Sequence, residues 1–516
     1  MIGQSLPEYW FILVSISGLR LVAPASIALI TAYAVGFISA PQWLVAYAAC
    51  ETVFLGVYTY RRWEFNKPPP PIPPRLTRAQ RRALFEKCAS HLTTDYPTGW
   101  FLPHDAILKR DNVQDWILWA LFASTPQEAS PEWIDEINEY ISVVEETLGR
   151  KLEHGRDFGA ESLRLSFDPV KMVHRPLIWY LTVALVDMTT SIFLISLGFK
   201  HYAPRAYFSA FPPRLFTSLF SRRAANEHFP YWYRPPRGDA PSKPTLLFLH
   251  GIGIGLHPYV PLFRELLRSD PTQSILLMEF LPVSMRMTPP MPSCRITLES
   301  INAVLEDLSV DQVTLAAHSY GTFISAYIIR ASSPSTIPED ELDPALILNE
   351  KVVKIVLVDP IPFLLHLPSV AYNFLYRPPG KNRANEWQLW YFASRDADVA
   401  RVLSRGFFWE EGCLWREDLD HFSARGRRKV TVVLAGKDQI VPAAQVREYL
   451  TCAEPGEWFV HAGGGCERWV AKSGLLEVVW FPRLDHATVF EKKERRKMLI
   501  RAVGSAEEPV SYGATN

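Results

Sequence analysis

The amino-acid sequence predicts an α/β protein with a mostly parallel sheet and helices on both faces, in the carboxyl-terminal half of the chain. The first observation is a set of short, continuous apolar runs, which is the pattern of strands buried on both faces. The second is that helical stretches separate most of these runs, as they do between parallel strands. The third is the length of 516 residues, which exceeds one ordinary domain and leaves room for a separate amino-terminal region.

The composition limits the partners and cofactors that the chain can be expected to have. Lys+Arg and Asp+Glu each number 54, so the formal net charge is zero and we expect no nucleic-acid partner. Hydrophobic residues make up 48% of the chain, which predicts a well-buried core and additional apolar surface that does not face water. The six cysteines are scattered without a CxxC pair, so we expect reduced thiols and neither a zinc site nor a disulfide scaffold. No feature identifies a protein partner.

Residues 1–66 are predicted to form a hairpin of two membrane helices. The first apolar run, 21–38, has no charge and approaches the length that a bilayer requires. The second run, 43–60, has aromatic residues at both ends, as interfacial belts prefer. Glu51 lies near its middle and is costly in lipid if ionised, so we expect it to be protonated, paired or buried against protein. A cleaved signal peptide is the alternative for the first run, but that run lacks a short basic start and a second apolar run follows it directly.

Residues 67–176 are predicted to form a proline spacer and a helical module. The spacer is KPPPPIPPR at 67–75, a stiff polyproline segment for which an SH3-ligand role is the alternative. The loop around it is basic, which predicts a cytoplasmic position. In the module, 130–149 has Ser130 as N-cap and Gly149 as a stop, and it carries no evident chemistry. We expect this module to have a packing or regulatory role.

Residues 177–229 are predicted to be a hydrophobic or amphipathic segment associated with the membrane. The apolar run 177–198 carries Asp187, and it could span the bilayer, lie on it or be a buried helix. A third span would place the rest of the chain on the opposite side of the membrane. The stretch 200–237 mixes aromatic and basic residues, which suits either a surface against lipid head groups or an ordinary linker. We therefore expect an integral membrane location, with the endoplasmic reticulum as the candidate organelle.

The sheet domain is predicted over residues 230–505, followed by a disordered tail at 506–516. Six apolar runs predict its strands: 245–251, 274–282, 312–319, 352–360, 429–438 and 476–486. Four stretches predict its helices: 258–268, 299–308, 322–331 and 491–503. In sheets of this kind, ligands and chemistry collect at the carboxyl ends of the strands. The residues at those ends are therefore the candidates for a functional site.

Three residues of complementary chemistry stand at predicted strand ends. Ser319 ends the third strand, Asp438 the fifth and His486 the sixth. A serine needs a base to lose its proton, and the base needs an anion to hold its tautomer. The chain order Ser, Asp, His is that of hydrolases with a nucleophile elbow. Ala317 stands where the elbow pattern G-x-S-x-G has its first glycine, and alanine is nearly as small.

The first strand ends in a glycine-rich turn, HGIGIG at 250–255. Backbone N–H groups of such a turn can face the serine, so the amides of Ile252 and Tyr320 are the predicted oxyanion-hole donors. Three residues are predicted to have structural roles in this turn: His250, Gly251 and Gly253.

Other titratable residues near the strand ends provide alternatives. Asp359 ends the fourth strand and is the alternative acid to Asp438. Asp485 neighbours the predicted base but is expected to point away from it. Three further histidines are expected to be ordinary polar positions: His257, His318 and His421.

Residues 240–505 resemble the α/β-hydrolase superfamily, with HGIG as the oxyanion turn, AHSYG as the elbow, GKD for the acid and DH for the base. The combination with an apolar amino-terminal region is similar to membrane-anchored α/β-hydrolases of fungi. The resemblance implies a serine hydrolase of the lipase or esterase type that cleaves an acyl ester without a metal or organic cofactor. An acyltransferase that uses the same residues is one alternative, and a non-catalytic membrane scaffold is another.

In this superfamily a cap is often inserted between the fourth and fifth of these strands, which here predicts a cap over about 361–428. The segment is dense in Leu, Phe, Trp and Tyr, so we expect it to enclose a long apolar chain, that is, a lipid or acyl-ester substrate. The methionine-rich turn 283–292 could adapt to a flexible acyl chain at the same mouth. The alternative is that these residues only pack the cap on the sheet.

Overall fold

The computed structural model describes residues 3–68, 76–91, 98–205, 209–237, 243–333, 343–461 and 465–504. Most of the predicted proline spacer, 69–75, and the predicted tail, 506–516, lie outside the described residues.

The strands of the described residues form a sheet of eleven and a separate antiparallel pair. The pair is β1 (Phe101–Leu102) and β2 (Glu161–Ser162). The strands of the large sheet are β3 (Lys200–Ala203), β4 (Arg222–Arg223), β5 (Tyr231–Arg234), β6 (Thr245–Leu249), β7 (Ile275–Met278), β8 (Val313–His318), β9 (Val352–Val358), β10 (Lys429–Ala435), β11 (Gly456–His461), β12 (Cys466–Ala471) and β13 (Leu476–Phe481).

The strand order of the large sheet is β11-β12-β13-β10-β9-β8-β6-β7-β5-β3-β4. The six central strands, from β13 to β7, run parallel to one another and coincide with the six apolar runs of the sequence. Every residue of β6, β7, β8 and β13 is buried, which explains why these strands read as continuous apolar runs. Strands β5 and β12 flank this parallel core in antiparallel pairings. This is the order of the α/β-hydrolase fold, so the predicted fold class is confirmed.

Three parts of the sheet lie outside the predicted strands, and one of them is the fully buried strand β5. The segment 177–229 contributes β3 and β4, which extend the sheet beyond β5. The hairpin β11–β12 adds an antiparallel edge at the other side. Strands β3, β4 and β5 have four residues or fewer, β11 is mostly exposed and β12 contains Glu467 and Arg468, so these strands lack the continuous apolar run that marks the parallel strands.

Helices cover both faces of the sheet, and further helices precede it. They are α1 (Leu6–Ala34), α2 (Gln42–Phe65), α3 (Arg78–Ser90), α4 (Arg110–Phe122), α5 (Ile134–Leu148), α6 (Leu177–Ser196), α7 (Leu215–Ser218), α8 (Val260–Ser269), α9 (Cys294–Asp307), α10 (Tyr320–Arg330), α11 (Pro344–Lys351), α12 (Ser369–Ala371), α13 (Ala384–Leu389), α14 (Ala397–Arg405), α15 (Trp409–Gly412), α16 (Arg416–Ala424), α17 (Ala443–Thr451) and α18 (Lys493–Val503).

The sheet separates two hydrophobic cores, and alternate residues of a strand enter opposite ones. Leu247 and Leu249 of β6 belong to the larger core, which also takes in α4, α5, α9, α10 and α12–α16. Leu246 and Phe248 belong to the smaller core with α8, α18 and the end of α6. The helical module and the cap therefore share one core on the same face of the sheet.

The amino-terminal hairpin consists of α1 and α2, which are longer than the apolar runs that predicted them. By length and composition alone, α1 and α6 could cross a membrane. The base of the hairpin is packed on the cap: Ile12 and Ile16 of α1 form a cluster with Ala384 and Tyr391. Glu51 of α2 is fully buried against protein and accepts a hydrogen bond from the Leu177 amide at the start of α6, at 2.8 Å.

Candidate active site

Ser319 occupies the sharp turn between β8 and α10. Its backbone φ of 49° and ψ of −117° are strained for a residue with a side chain, as expected for a nucleophile elbow. A Cβ atom at Gly321 would collide with the Leu249 carbonyl, so the last position of the motif requires glycine. Ala317 is fully buried in β8, and the structure accommodates its methyl group. The departure from the glycine pattern is therefore compatible with the turn.

The structure brings together the three residues that the sequence singles out. His486 Nε2 lies 2.9 Å from Ser319 Oγ, and His486 Nδ1 lies 2.7 Å from Asp438 Oδ2. All three side chains are buried. The other carboxylate oxygen of Asp438 accepts from the amides of Ile440 and Val441, at 2.8 and 2.9 Å, which fixes the direction of the carboxylate.

Several charges set the proton affinity of His486. Burial alone would lower its pKa, but the charge and hydrogen bond of Asp438 outweigh burial, and Asp359 and Asp485 add to their effect. Together they raise the pKa of His486 to about 9. Burial raises the pKa of Asp438 against the opposing effect of His486, so the two groups compete for one proton.

Asp359, the alternative acid, lies beside this group but binds a different atom. It follows β9 with a φ of 45°, and its Oδ2 accepts from the Ala487 amide at 2.7 Å. Its carboxylate, that of Asp438 and the His486 ring bring ligand atoms within 4.8 Å of one another. Asp359 therefore places a second carboxylate near the histidine without a hydrogen bond to its ring.

A buried chain of polar groups that the sequence did not predict supports the glycine-rich turn. The Gly251 amide donates to the Tyr259 hydroxyl at 3.2 Å, and that hydroxyl lies 2.8 Å from His318 Nδ1. Burial lowers the pKa of His318 to about 4, so its neutral ring can accept from Tyr259. His318 Nε2 lies 3.7 Å from Asp359. His318 was expected to be an ordinary polar position, and the structure shows it as a buried partner of Tyr259 directly before Ser319.

The glycine-rich turn passes directly beside the elbow. A Cβ at Gly251 would lie 2.8 Å from the Ser319 Cβ, so this approach requires glycine. His250 Nε2 accepts from the Phe280 amide at 2.9 Å, and its Nδ1 lies 2.8 Å from the Gly251 carbonyl. The Gly253 amide donates to the Val283 carbonyl at 3.1 Å. These contacts fix the turn from both sides.

The two predicted oxyanion donors, Ile252 and Tyr320, lie beside Ser319 around one cavity. Within the described part of the chain, neither backbone amide donates a hydrogen bond. The Tyr320 amide is at the first turn of α10, where helix geometry leaves the N–H groups without partners. Both amides therefore lie beside Ser319 without an acceptor in the described residues.

The cavity at Ser319 is lined by apolar and aromatic side chains. Beyond Ser319 the lining residues are Leu165, Ile252, Tyr320, Ile361, Val370, Ala371, Phe374, Leu375, Leu403, Phe407 and Ile440. Most of them come from the cap. The cavity has a volume of about 30 Å³, enough for roughly one or two water molecules. Any ligand larger than this can therefore enter only if cap side chains move aside.

Comparisons with solved structures return hydrolases. A hydrolase from Pseudomonas aeruginosa PA01 is 16% identical, with 54% of this chain and 95% of that chain covered and a TM-score of 0.34. A membrane phospholipase A, described as a bacterial virulence factor, is 12% identical, with coverages of 63% and 92% and a TM-score of 0.36. Naproxen esterase from Bacillus subtilis is 10% identical, with coverages of 54% and 89% and a TM-score of 0.33.

Sequence identities and TM-scores this low say nothing about the activity of this chain. Its fold is defined by the strand order of the sheet and by the turn at Ser319. No protein-family model and no curated protein sequence matches the chain. The carboxyl-terminal half of the chain has the α/β-hydrolase fold, with a serine at the elbow position and a histidine and an aspartate at the ends of later strands.

Proposed function

We propose that this chain is a serine hydrolase that cleaves an acyl ester of a hydrophobic lipid. The observation that carries the proposal is a hydrogen-bonded chain from Ser319 through His486 to Asp438 that ends at an apolar cavity. A cavity whose lining side chains carry hydroxyl groups only at Ser319 and Tyr320 suits an acyl chain with its carbonyl at the serine. It does not suit a sugar or a peptide, whose polar groups would be left without partners.

The proposed mechanism is acyl transfer through a covalent intermediate. Ser319 Oγ attacks the ester carbonyl while His486 Nε2 takes its proton, and Asp438 stabilises the imidazolium. The amides of Ile252 and Tyr320 bind the oxyanion. The tetrahedral intermediate collapses as His486 gives the proton to the leaving alcohol. Water, activated by the same histidine, then releases the fatty acid and regenerates the serine.

A fluorophosphonate probe combined with ester hydrolysis tests this function. We expect the full-length protein in detergent to be labelled and to hydrolyse a long-chain ester, and Ser319→Ala to do neither. Ser325→Ala is a matched control, since Ser325 lies on the same helix and its hydroxyl bonds to the Gly321 carbonyl. Activity in Ser319→Ala would overturn the proposal. A labelled serine that forms a new ester with an added alcohol, and no free acid, would indicate an acyltransferase.

We further propose that the amino-terminal hairpin anchors the chain in one leaflet of a membrane. Exposed apolar residues lie at its tip: Val35, Phe37, Ile38 and Trp43. The base of α1 packs on the cap as far as Leu19, so only residues 21–34 extend beyond it. They rise about 21 Å at 1.5 Å per residue, which is less than the roughly 30 Å hydrocarbon core.

In the same proposal α6 lies along the membrane surface and does not cross it. Its outward residues recur every three or four positions: Ile178, Leu181, Leu185, Met188, Ile192 and Ile195. On its other side Asp187 pairs with Arg214 at 2.9 Å and with Arg286 at 3.2 Å. Thr190 bonds to His257 at 3.0 Å. These polar contacts hold α6 on the sheet domain, which cannot enter lipid.

Labelling from either side of sealed vesicles tests this topology. Ser39→Cys places a thiol at the hairpin tip, in a background where the exposed Cys50 and Cys452 are replaced by serine. We expect an impermeant maleimide to reach this thiol from neither side until detergent is added, while Ser473→Cys on the exposed surface is labelled from the outside. Labelling of Ser39→Cys from the lumen would show a spanning hairpin. Labelling from the outside would show that the hairpin is not inserted.

A further inference from the structure

The cap is bonded directly to the loop of the proposed base. Asn385, at the start of α13, donates from Nδ2 to Asp485 Oδ2 at 2.7 Å. Asn385 is 2% exposed, so this bond is shielded from water. Asp485 is the residue immediately before His486. As expected from the sequence, it is not a partner of the histidine ring.

Asp485 also joins the loop of the base to the loop of the acid. Its Oδ1 accepts from the His486 amide at 2.7 Å and from the Gln439 amide at 3.0 Å. Gln439 follows Asp438 in the chain. One carboxylate therefore connects the residue after the acid, the base itself and the cap.

Two other cap side chains reach the acid loop. Asn373 donates to the Ile440 carbonyl at 3.0 Å, and Arg377 donates to the Gln439 carbonyl at 2.9 Å. Helix α13 is in turn braced by the amino-terminal hairpin, through the cluster of Ile12 and Ile16 of α1 with the cap. The contacts thus run from α1 through the cap to the two loops.

We propose that Asn385 and Asp485 are a positioning pair, through which the cap holds the acid and base loops at their working distance. This inference rests on the proposed hydrolase function. Asp438 and His486 reach each other from separate strand ends, so their 2.7 Å contact depends on how the two loops are fixed relative to each other. Asp485 provides the link between these loops, and Asn385 makes the shorter of the two side-chain bonds to its Oδ2, the other coming from Gln439 Nε2 at 3.4 Å. The cap therefore supports the chemistry as well as covering the cavity.

Asn385→Ala removes the bond while leaving the charged and titratable groups around His486 in place: Asp438, Asp359, Asp485 and His318. We expect kcat, calculated per active site that reacts with the fluorophosphonate probe, to fall about tenfold, because small misplacements of catalytic groups slow the reaction strongly. The KM for a soluble short-chain ester should stay unchanged. A looser contact with Asp438 lowers the pKa of His486. The acid limb of the pH profile of kcat/KM should therefore move to lower pH.

A swapped pair separates positioning from simple loss of folding. Asn385→Asp places two carboxylates together and should lower kcat further than Asn385→Ala. Adding Asp485→Asn restores one amide and one carboxylate, and we expect the double variant to recover most of the loss. Arg383→Ala is the matched control, since Arg383 precedes the same helix but bonds to Gln4 instead of the base loop.

The outcomes distinguish this inference from the proposed function. If Ser319→Ala is inactive while Asn385→Ala keeps its kcat and its pH limb, the positioning role is wrong and the hydrolase function stands. If Asn385→Ala only lowers the fraction of molecules whose serine reacts with the fluorophosphonate probe, its role is structural and the inference also fails. If Ser319→Ala keeps its activity, both proposals fall.

Discussion

Asp359 and Asp438 approach the same loop from neighbouring strands and bind different atoms of it. Asp438 Oδ2 lies 2.7 Å from the ring Nδ1 of His486, whereas Asp359 Oδ2 accepts at 2.7 Å from the amide of Ala487. Ala487 has a φ of 64°, so the second bond fixes a left-handed residue directly after the histidine. One carboxylate is thus placed to orient the ring, and the other fixes the loop that carries it.

The first prediction follows from the bond to the ring. Asp438→Asn can present an amide N–H to Nδ1 and favour the wrong tautomer of His486. We expect kcat to fall roughly 10³- to 10⁴-fold, with little change in the stability of the fold. Steady-state kinetics on a soluble ester, with thermal unfolding measured in parallel, tests this expectation.

Asp359→Asn provides the comparison for that experiment. Since Asp359 is one of the carboxylates that raise the pKa of His486, its neutral replacement should move the acid limb of the kcat/KM profile to lower pH. The kcat on the plateau should stay within about tenfold of the original, because the ring keeps Asp438 as its partner. If Asp359→Asn is instead the more damaging change, the acid assignment must be exchanged between the two residues.

A second prediction concerns the pH dependence of the unmodified protein. His486 acts as a base only when neutral, and its neighbours raise its pKa to about 9. The kcat/KM for a neutral short-chain ester should therefore rise with pH through about 9 and level off above it. An acid limb near the ordinary histidine value would mean that the surrounding carboxylates do not act on the ring as the structure indicates.

The parts of the molecule that the sequence predicted share a physical basis. The parallel strands are buried on both faces, so each reads as a continuous apolar run, and the reactive residues stand at the ends of those runs. The sequence alone was enough to predict contacts among Ser319, Asp438 and His486, because a serine, a base and an acid have complementary chemistry. Tyr259 could not, because its contact with Gly251 depends on how α8 packs over the sheet.

The surroundings of the amino-terminal helices could not be predicted for a similar reason. Apolar content indicated membrane helices, but it does not distinguish side chains that face lipid from side chains that face the cap. Glu51 was expected to be protonated, paired or buried against protein, and the start of α6 binds its carboxylate. Arg61 of α2 pairs with Asp398 of the cap at 2.9 Å, across more than 300 residues of sequence that carry no local signal for the contact.

A third prediction uses this ion pair. Burial raises the pKa of Asp398 to about 7, and Arg61 opposes that rise. Because the pKa of Asp398 is higher in the folded protein than in the unfolded chain, its proton stabilises the fold fully at pH values below the unfolded-state pKa. This contribution to stability is lost as the pH rises through about 7. Arg61→Ala leaves the buried carboxylate without its partner, so we expect the free energy of unfolding to fall by about 3 kcal/mol above neutral pH and by less in mild acid, where Asp398 is protonated.

Thermal unfolding in detergent at acidic and alkaline pH measures this difference. Arg62→Ala is the matched control, because Arg62 is the exposed neighbour, and we expect an effect within about 0.5 kcal/mol at either pH. An equal loss for Arg61→Ala at both pH values would show that the arginine contributes packing and not a charge for Asp398.

The last prediction concerns the cavity at Ser319. Ala371 contributes a methyl group to its wall from the short helix α12, and the indole of Ala371→Trp would obstruct the path that an acyl chain needs beyond the serine. We expect kcat/KM for a long-chain acyl ester to fall at least tenfold more than that for an acetyl ester, since the acetyl group needs no room beyond the elbow. Ser369→Trp is the control, because Ser369 begins the same helix but does not line the cavity. Equal losses for both esters in Ala371→Trp would mean that the acyl chain binds elsewhere and that these cap residues only pack on the sheet.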